Sequence, residues 1–280
     1  MFLEILVPVS TESFQSSFIV FVADSLIYKY RDLTQKLLAV RCSMIAFTLG
    51  LISIHFIYRY FAICRIHLAD SFFNPKYVVL MILLVFLYGS TWLLIISKWL
   101  WPDEEMRRKF DSDFMKKYNE STKNIPFFAA NYEHPDIDKN GIFAMGLATI
   151  ITMSSLVLDA FLATKIHLAL KTLNLSENVK KMHRNLLLTL IAQTIIPSIL
   201  TFLPCIIIWF VPFLDSLNDY DPSYYINLIC VPMLCGYPIV DPLVITFALV
   251  DYRKAVFQKI RKIQSNSSTH PLTFMETTLV

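Results

Sequence analysis

Apolar residues along the chain fall into long blocks separated by short polar segments, rather than into the tight alternation of a soluble helix face or strand. Tyr77–Ile96 runs without a charge, and at about 1.5 Å per residue it matches a hydrocarbon core of roughly 30 Å. Leu186–Phe213 is longer and also uncharged, so tilting or kinking is expected. Tyr225–Val250 carries one charge, Asp241, and Ile142–Ala163 carries one, Asp159. The remaining block, Leu37–Ile63, holds Arg41 and Arg59 about 27 Å apart along a helix, so each is expected to snorkel to its own interface, with His55 between them. The pattern predicts an all-α membrane protein: a transmembrane helix bundle with spans at 37–63, 77–96, 142–163, 186–213 and 225–250, preceded by an N-terminal fragment. In that fragment Phe2–Val9 and Phe18–Tyr30 are apolar but too short to span, interrupted by Glu4 and Asp24. The start lacks a basic stretch and a small-residue cleavage site, so no signal peptide is expected.

Composition agrees. Of the 280 residues 55% are hydrophobic and only 17% charged, with a mean hydropathy of +0.53, an excess that needs lipid as its solvent. A net charge of +3 with no basic tract interleaved with aromatics gives no nucleic-acid partner. The cysteines at 42, 64, 205, 230 and 235 lie mostly in apolar runs without metal-ligand spacing, so no metal and no cofactor is expected, and buried free thiols are the reading. No His/Asp cluster or Ser/His pair of an intramembrane enzyme is present, so no catalytic residue is assigned.

The connecting segments give an orientation. Segment 164–185 holds Lys165, Lys171, Lys180, Lys181 and Arg184 against Glu177, and the last span is followed by Arg253, Lys254, Lys259, Arg261 and Lys262. Segment 214–224 holds Asp215, Asp219 and Asp221 and no base. Basic segments inside and acidic outside put the C-terminus in the cytoplasm and 97–141 outside, where the sequon at Asn119 is a glycosylation candidate; the sequons at Asn174 and Asn266 fall inside.

Tyr58-Arg59-Tyr60 closes the first span within Ile52–Arg65. An interfacial arginine flanked by aromatic belt residues is one reading, and a helix-end cation for a cytoplasmic partner is the other. This stretch resembles the third helix of the Str-type nematode serpentine chemoreceptors, whose YRY stands where rhodopsin-like receptors carry DRY. Further stretches match in order: Trp101-Pro102-Asp103-Glu104-Glu105 opening the outer loop, Gln193-Thr194-Ile195-Ile196-Pro197 then Pro204, Pro238-Ile239-Val240-Asp241-Pro242, and Asp251-Tyr252-Arg253-Lys254-Ala255. Residues 6–22 resemble the outer end of that family's second helix, so the spans would correspond to helices 3–7 of a receptor truncated at its N-terminus.

The resemblance implies a G-protein-coupled chemosensory receptor for a small-molecule odorant or pheromone, in the plasma membrane and, in a nematode, in a sensory cilium. Tyr58, Arg59 and Tyr60 would face a heterotrimeric G protein. Pro197, Pro204, Pro238 and Pro242 would act as hinges, with Asp241 as an intramembrane switch, although Ile245 replaces the tyrosine expected after Pro242. Depth alone suggests Ser43, Met44, Phe47, Cys230, Met233 and Leu234 as ligand-lining residues. Asp159 and His55 are expected to be interfacial and structural respectively. Many seven-helix receptors tie a cysteine near Cys42 to the second outer loop, but 97–141 has no cysteine, which argues against a rigidly clasped mouth. The Ser/Thr-rich tail 263–280 is expected to be disordered and cytoplasmic, and its end at Val280 fits a PDZ-binding carboxylate. The competing readings are an inactive or accessory truncated receptor and, with Asp159, Asp241 and Arg41 as pathway charges, a transporter or channel.

Overall fold

The computed structural model describes residues 6–14, 16–22, 25–27, 29–65, 67, 74–132, 137–173, 176–215, 223–248 and 258. In chain order these form β1 (Ser10–Phe14), β2 (Ser17–Phe21), α1 (Arg31–Cys64), α2 (Pro75–Trp99), α3 (Glu104–Tyr118), β3 (Phe127–Asn131), α4 (Lys139–Thr172), α5 (Glu177–Pro197), a π-helical turn (Ser198–Phe202), α6 (Leu203–Asp215) and α7 (Ser223–Ala248). Four helical stretches are long and apolar enough to cross a membrane: α1, α2, α4 and the α5–α6 run over Glu177–Pro212. Helix α7 adds a shorter apolar stretch, Leu228–Tyr237.

The helices form because their interiors are continuous apolar sequence, and they begin and end where capping residues stand. Asn74 accepts the Lys76 N–H at the start of α2, Asp138 accepts the Gly141 N–H in α4, and Asp103 accepts the Met106 N–H in α3. Apolar side chains face outward in numbers that only lipid can cover: Leu87 is 63% exposed, Val157 68% and Ile150 67%. Inside, α1 packs along α2 and α4, and α7 along α5 and α6.

Helix α2 meets α1 at Gly89, where a Cβ would overlap the ring of Phe47. That ring is already held edge-on against Phe86, with centroids 5.7 Å apart, so it cannot simply swing away. Small residues let membrane helices approach closely. Gly89→Ala is therefore expected to cost about 1–3 kcal/mol through overpacking, read as a lower unfolding midpoint in detergent. Gly146→Ala, where a Cβ meets nothing within 4 Å, is the control and should leave the midpoint unchanged or slightly raised.

Three placements differ from the sequence reading. Ser10–Phe14 and Ser17–Phe21 are paired antiparallel strands of a hairpin, not a helix end: Phe14 pairs with Ser17, and Ser16 takes φ 55. The β-branched and aromatic residues of Ser17–Phe21 find a partner in Phe127–Asn131, giving an antiparallel sheet of order β1-β2-β3 across one end of the bundle. Arg41 is buried rather than exposed at a helix end. Helix α1 begins at Arg31, so Arg41 lies about 15 Å inside it and is buried beneath the sheet. Asp159 is also buried, at 1% exposure, because α4 continues to Thr172, about 20 Å further. It lies near Ser53, whose hydroxyl is 3.3 Å from that of Ser155.

Candidate functional site

At the sheet-capped end the helices enclose a cavity of about 540 Å³. Its floor and one wall come from α1, through Arg41, Cys42, Met44, Ile45 and Thr48. Trp92 of α2, Thr201 and Phe202 of the π turn, and Cys205, Ile208 and Trp209 of α6 form the opposite side. Leu234 and Tyr237 of α7 complete the ring. The hairpin roofs it with Val9, Thr11, Phe18 and Val20. Trp209 anchors the roof to the wall: its ring lies 6.1 Å from Trp92 and 6.4 Å from Phe18. A largely apolar, aromatic enclosure with few polar groups is the ordinary chemistry of a small-molecule site.

The roof is fixed without a disulfide. Gln35, 2% exposed, donates Nε2 to the Phe127 carbonyl at 2.5 Å and accepts the Phe127 N–H at 3.0 Å, tying β3 to α1. In the register, Ser17 sits opposite Asn131 and donates to its Oδ1 at 2.9 Å. Helix α3 packs Phe110 and Phe114 against Ile19, Phe21 and Phe127 on the outer face of the sheet. Arg107 sends Nη1 to the carbonyls of Thr122 and Ile125 at 2.7 and 3.3 Å, and its guanidinium covers the Phe127 ring at 4.9 Å. Glu12 takes a bond from Tyr118 Oη at 2.6 Å and pairs with Lys117 at 2.8 Å. Burial and that carboxylate together push the Tyr118 phenol up. Ser121 and Thr122 donate to Asp111 and hold its carboxyl below the usual range. The loop expected to be loosely held is thus clasped by strand pairing and side-chain bonds to backbone.

At the far end of α1, Arg59 is half-buried, with its guanidinium 5.7 Å from the Tyr58 ring centroid. Tyr60 packs beside a second apolar cluster in which Phe56 and Ile63 meet Leu162 and Ile166 of α4 and Leu187 and Leu190 of α5. The tyrosine–arginine–tyrosine end therefore sits where three membrane helices converge.

Residues 1–256 match the family model "Serpentine type 7TM GPCR chemoreceptor Srj". This chain belongs to the Srj serpentine chemoreceptor family. The chain is 26% identical over 260 residues to the Caenorhabditis elegans "Serpentine receptor class J-38", covering 90% of this chain and 76% of the relative. It is 23% identical over 262 residues to the C. elegans "G-protein coupled receptor str-33", covering 90% and 74%, and 27% identical over 235 residues to the Caenorhabditis briggsae "Serpentine receptor class r-10", covering 79% and 65%. No solved structure matches the chain. The motifs resembled Str-type receptors; the matching family is Srj, with a Str receptor among its relatives. It is a multi-pass membrane receptor family and not an enzyme family.

In this Srj-family chain, Met44 and Leu234 stand in the cavity wall. Ser43, Phe47, Cys230 and Met233 stand elsewhere. Ser43 returns its hydroxyl to the Val40 carbonyl, Phe47 packs on α2, and Cys230 is buried in the main core cluster. A helical turn exposes only every third or fourth residue to one side, so depth along a span does not choose a face. Arg41, Trp92, Thr201, Trp209 and Tyr237, none of them among the suggested lining residues, line the cavity. Pro197 is buried at the end of α5 and the π turn follows it directly; Pro204 is buried one residue into α6. Pro242 is exposed on α7, while the side chains of Pro238 and Asp241 lie outside the described residues. Asn119 caps α3 at φ 56 with its residue exposed. Asn174, Asn266 and the tail with Val280 lie outside the described residues.

Proposed function

We propose that this chain is a chemosensory receptor in which a small organic molecule occupies the cavity beneath the hairpin and shifts an inactive–active equilibrium read by a heterotrimeric G protein. The observation that carries this reading is the span of α1. One helix lines the cavity from Arg41 to Thr48 and carries Tyr58, Arg59 and Tyr60 toward its other end, with Arg59 about 27 Å from Arg41. A ligand that tilts or turns this helix moves both ends together. The π turn after Pro197 supplies a place where the α5–α6 run can bend, with Pro204, Pro238 and Pro242 as further hinges. Asp241 is the intramembrane switch candidate of α7.

In a heterologous cAMP or Ca²⁺ assay, Arg59→Ala is expected to abolish the response while leaving ligand affinity within about twofold, because Arg59 is remote from the cavity. A normal response in that variant would remove Arg59 from the mechanism. Loop charge supports an orientation with the C-terminus cytoplasmic and the sheet and α3 outside, and the family supports the plasma membrane, with the sensory cilium as the site to examine in the animal. A glycan on Asn119, lost in Asn119→Gln, tests that orientation. Val280 would then present its carboxylate to a cytoplasmic PDZ protein.

A further inference from the structure

Both carboxylate oxygens of Asp159, the Tyr88 hydroxyl and the Trp92 indole nitrogen are buried with no hydrogen-bond partner among the described residues. They are neighbours. Around the Tyr88 hydroxyl of α2 stand Asp159, Ser155 and Thr152 of α4 and Trp92 of its own helix, while Asp159 has Ser53 of α1 beside it. Ser53 and Ser155 bring their hydroxyl oxygens within 3.3 Å of each other and join the two halves of the group. Three helices thus direct polar side chains to one place inside the bundle.

The threonines of α2 and α4 meet their needs locally: Thr91 donates to the Leu87 carbonyl, Thr149 to Met145 and Thr152 to Ala148. An ionised carboxylate has no such option, because it only accepts. Asp159 is 1% exposed, and among the described residues no ion-pair or hydrogen-bond partner meets its oxygens. Burying a carboxylate unpaired is among the costliest placements a side chain can take. The position therefore calls for a positive charge that the surrounding side chains do not bring.

The ligand set narrows what brings it. Among the described residues no three His, Cys, Asp or Glu side chains gather as they would around a divalent or transition metal. One carboxylate among hydroxyl oxygens is a hard, oxygen-only set with a single negative charge. A monovalent cation leaves it neutral, whereas a divalent one leaves a net charge inside the bundle. A proton would also cancel the charge, yet it serves one oxygen, and here hydroxyl oxygens from three helices gather round the carboxylate.

We infer that Asp159, with Ser53, Ser155 and Tyr88, binds sodium between α1, α2 and α4. This site is separate from the cavity beneath the hairpin and does not depend on what that cavity holds. Trp92 connects the two, since it lines the cavity and stands beside the Tyr88 hydroxyl.

The test uses the full chain in phosphatidylcholine nanodiscs, in sodium, choline or calcium chloride at equal ionic strength, so that screening is constant. Sodium near physiological strength should raise the thermal unfolding midpoint by about 3 °C over choline. Radiolabelled sodium held by the discs should be displaced by unlabelled sodium and not by choline. Asp159→Asn, which removes the charge and nearly keeps the shape, should lose both the bound sodium and the difference between salts. Ser155→Ala should weaken sodium binding about fivefold. Equal midpoints in sodium and choline for the unmodified chain, with no displaceable sodium, overturn the inference and leave a proton as the neutralising charge; that result needs no variant to fold. A sodium response that persists in Asp159→Asn also overturns it, because the ion then binds elsewhere. A larger rise in calcium than in sodium overturns the monovalent assignment.

Discussion

Gln35→Leu is expected to destabilise the protein by about 2–4 kcal/mol, because it strands both the N–H and the carbonyl of Phe127 in a buried position. The side chain has nearly the right volume, so little of the cost comes from packing. Phe127 opens β3, β3 pairs with β2, and Val20 and Phe18 of β2 roof the cavity. Thermal unfolding should therefore fall together with ligand affinity, and hydrogen exchange at Phe127–Asn131 should rise before exchange in α4. Gln35→Glu keeps the acceptor for the Phe127 N–H but loses the donor for its carbonyl, and should stay at least as destabilised. An unchanged midpoint in Gln35→Leu would mean that the clamp contributes nothing in the membrane.

Arg107→Ala should cost about 3 kcal/mol from the other side of the same strand. The substitution frees the Thr122 and Ile125 carbonyls and uncovers the Phe127 ring. Burial pulls the guanidinium below its ordinary value, yet an arginine this basic stays charged, and the desolvation it has met is offset only while both carbonyls face it. Arg107→Lys offers a point charge in place of the fork and should recover less than half of the loss. Cell-surface expression and the unfolding midpoint are the measurements. Because Gln35 and Arg107 both act on Phe127, the double variant should cost less than the sum of the two, the mark of a shared element.

The spans were legible because lipid imposes a requirement that sequence alone displays: some twenty apolar residues with every backbone group satisfied inside the helix. The YRY end was legible for a similar reason, since a cation flanked by tyrosines at the end of an apolar run has few other places to be. The hairpin was not legible as such. Residues 10–21 are short and apolar, and what decides between strand and helix for them is Phe127–Asn131, more than a hundred residues away.

The same distinction divides the cavity. Met44 and Leu234 could be suggested from depth, but Thr201 needs the π turn, and the π turn needs the local geometry after Pro197. Arg41 illustrates the limit most clearly. From sequence it is a charge near a span end, with lipid headgroups as its natural destination. In the fold, α1 extends to Arg31 and a sheet covers that end, so the same residue becomes a buried cation facing an apolar cavity. That this is a helical membrane protein of the serpentine receptor kind was readable along the chain, because hydrophobic length and motif order are local properties. Which residues meet across the bundle, and what closes its mouth, emerged with the fold, because both depend on pairings between segments that no local pattern records.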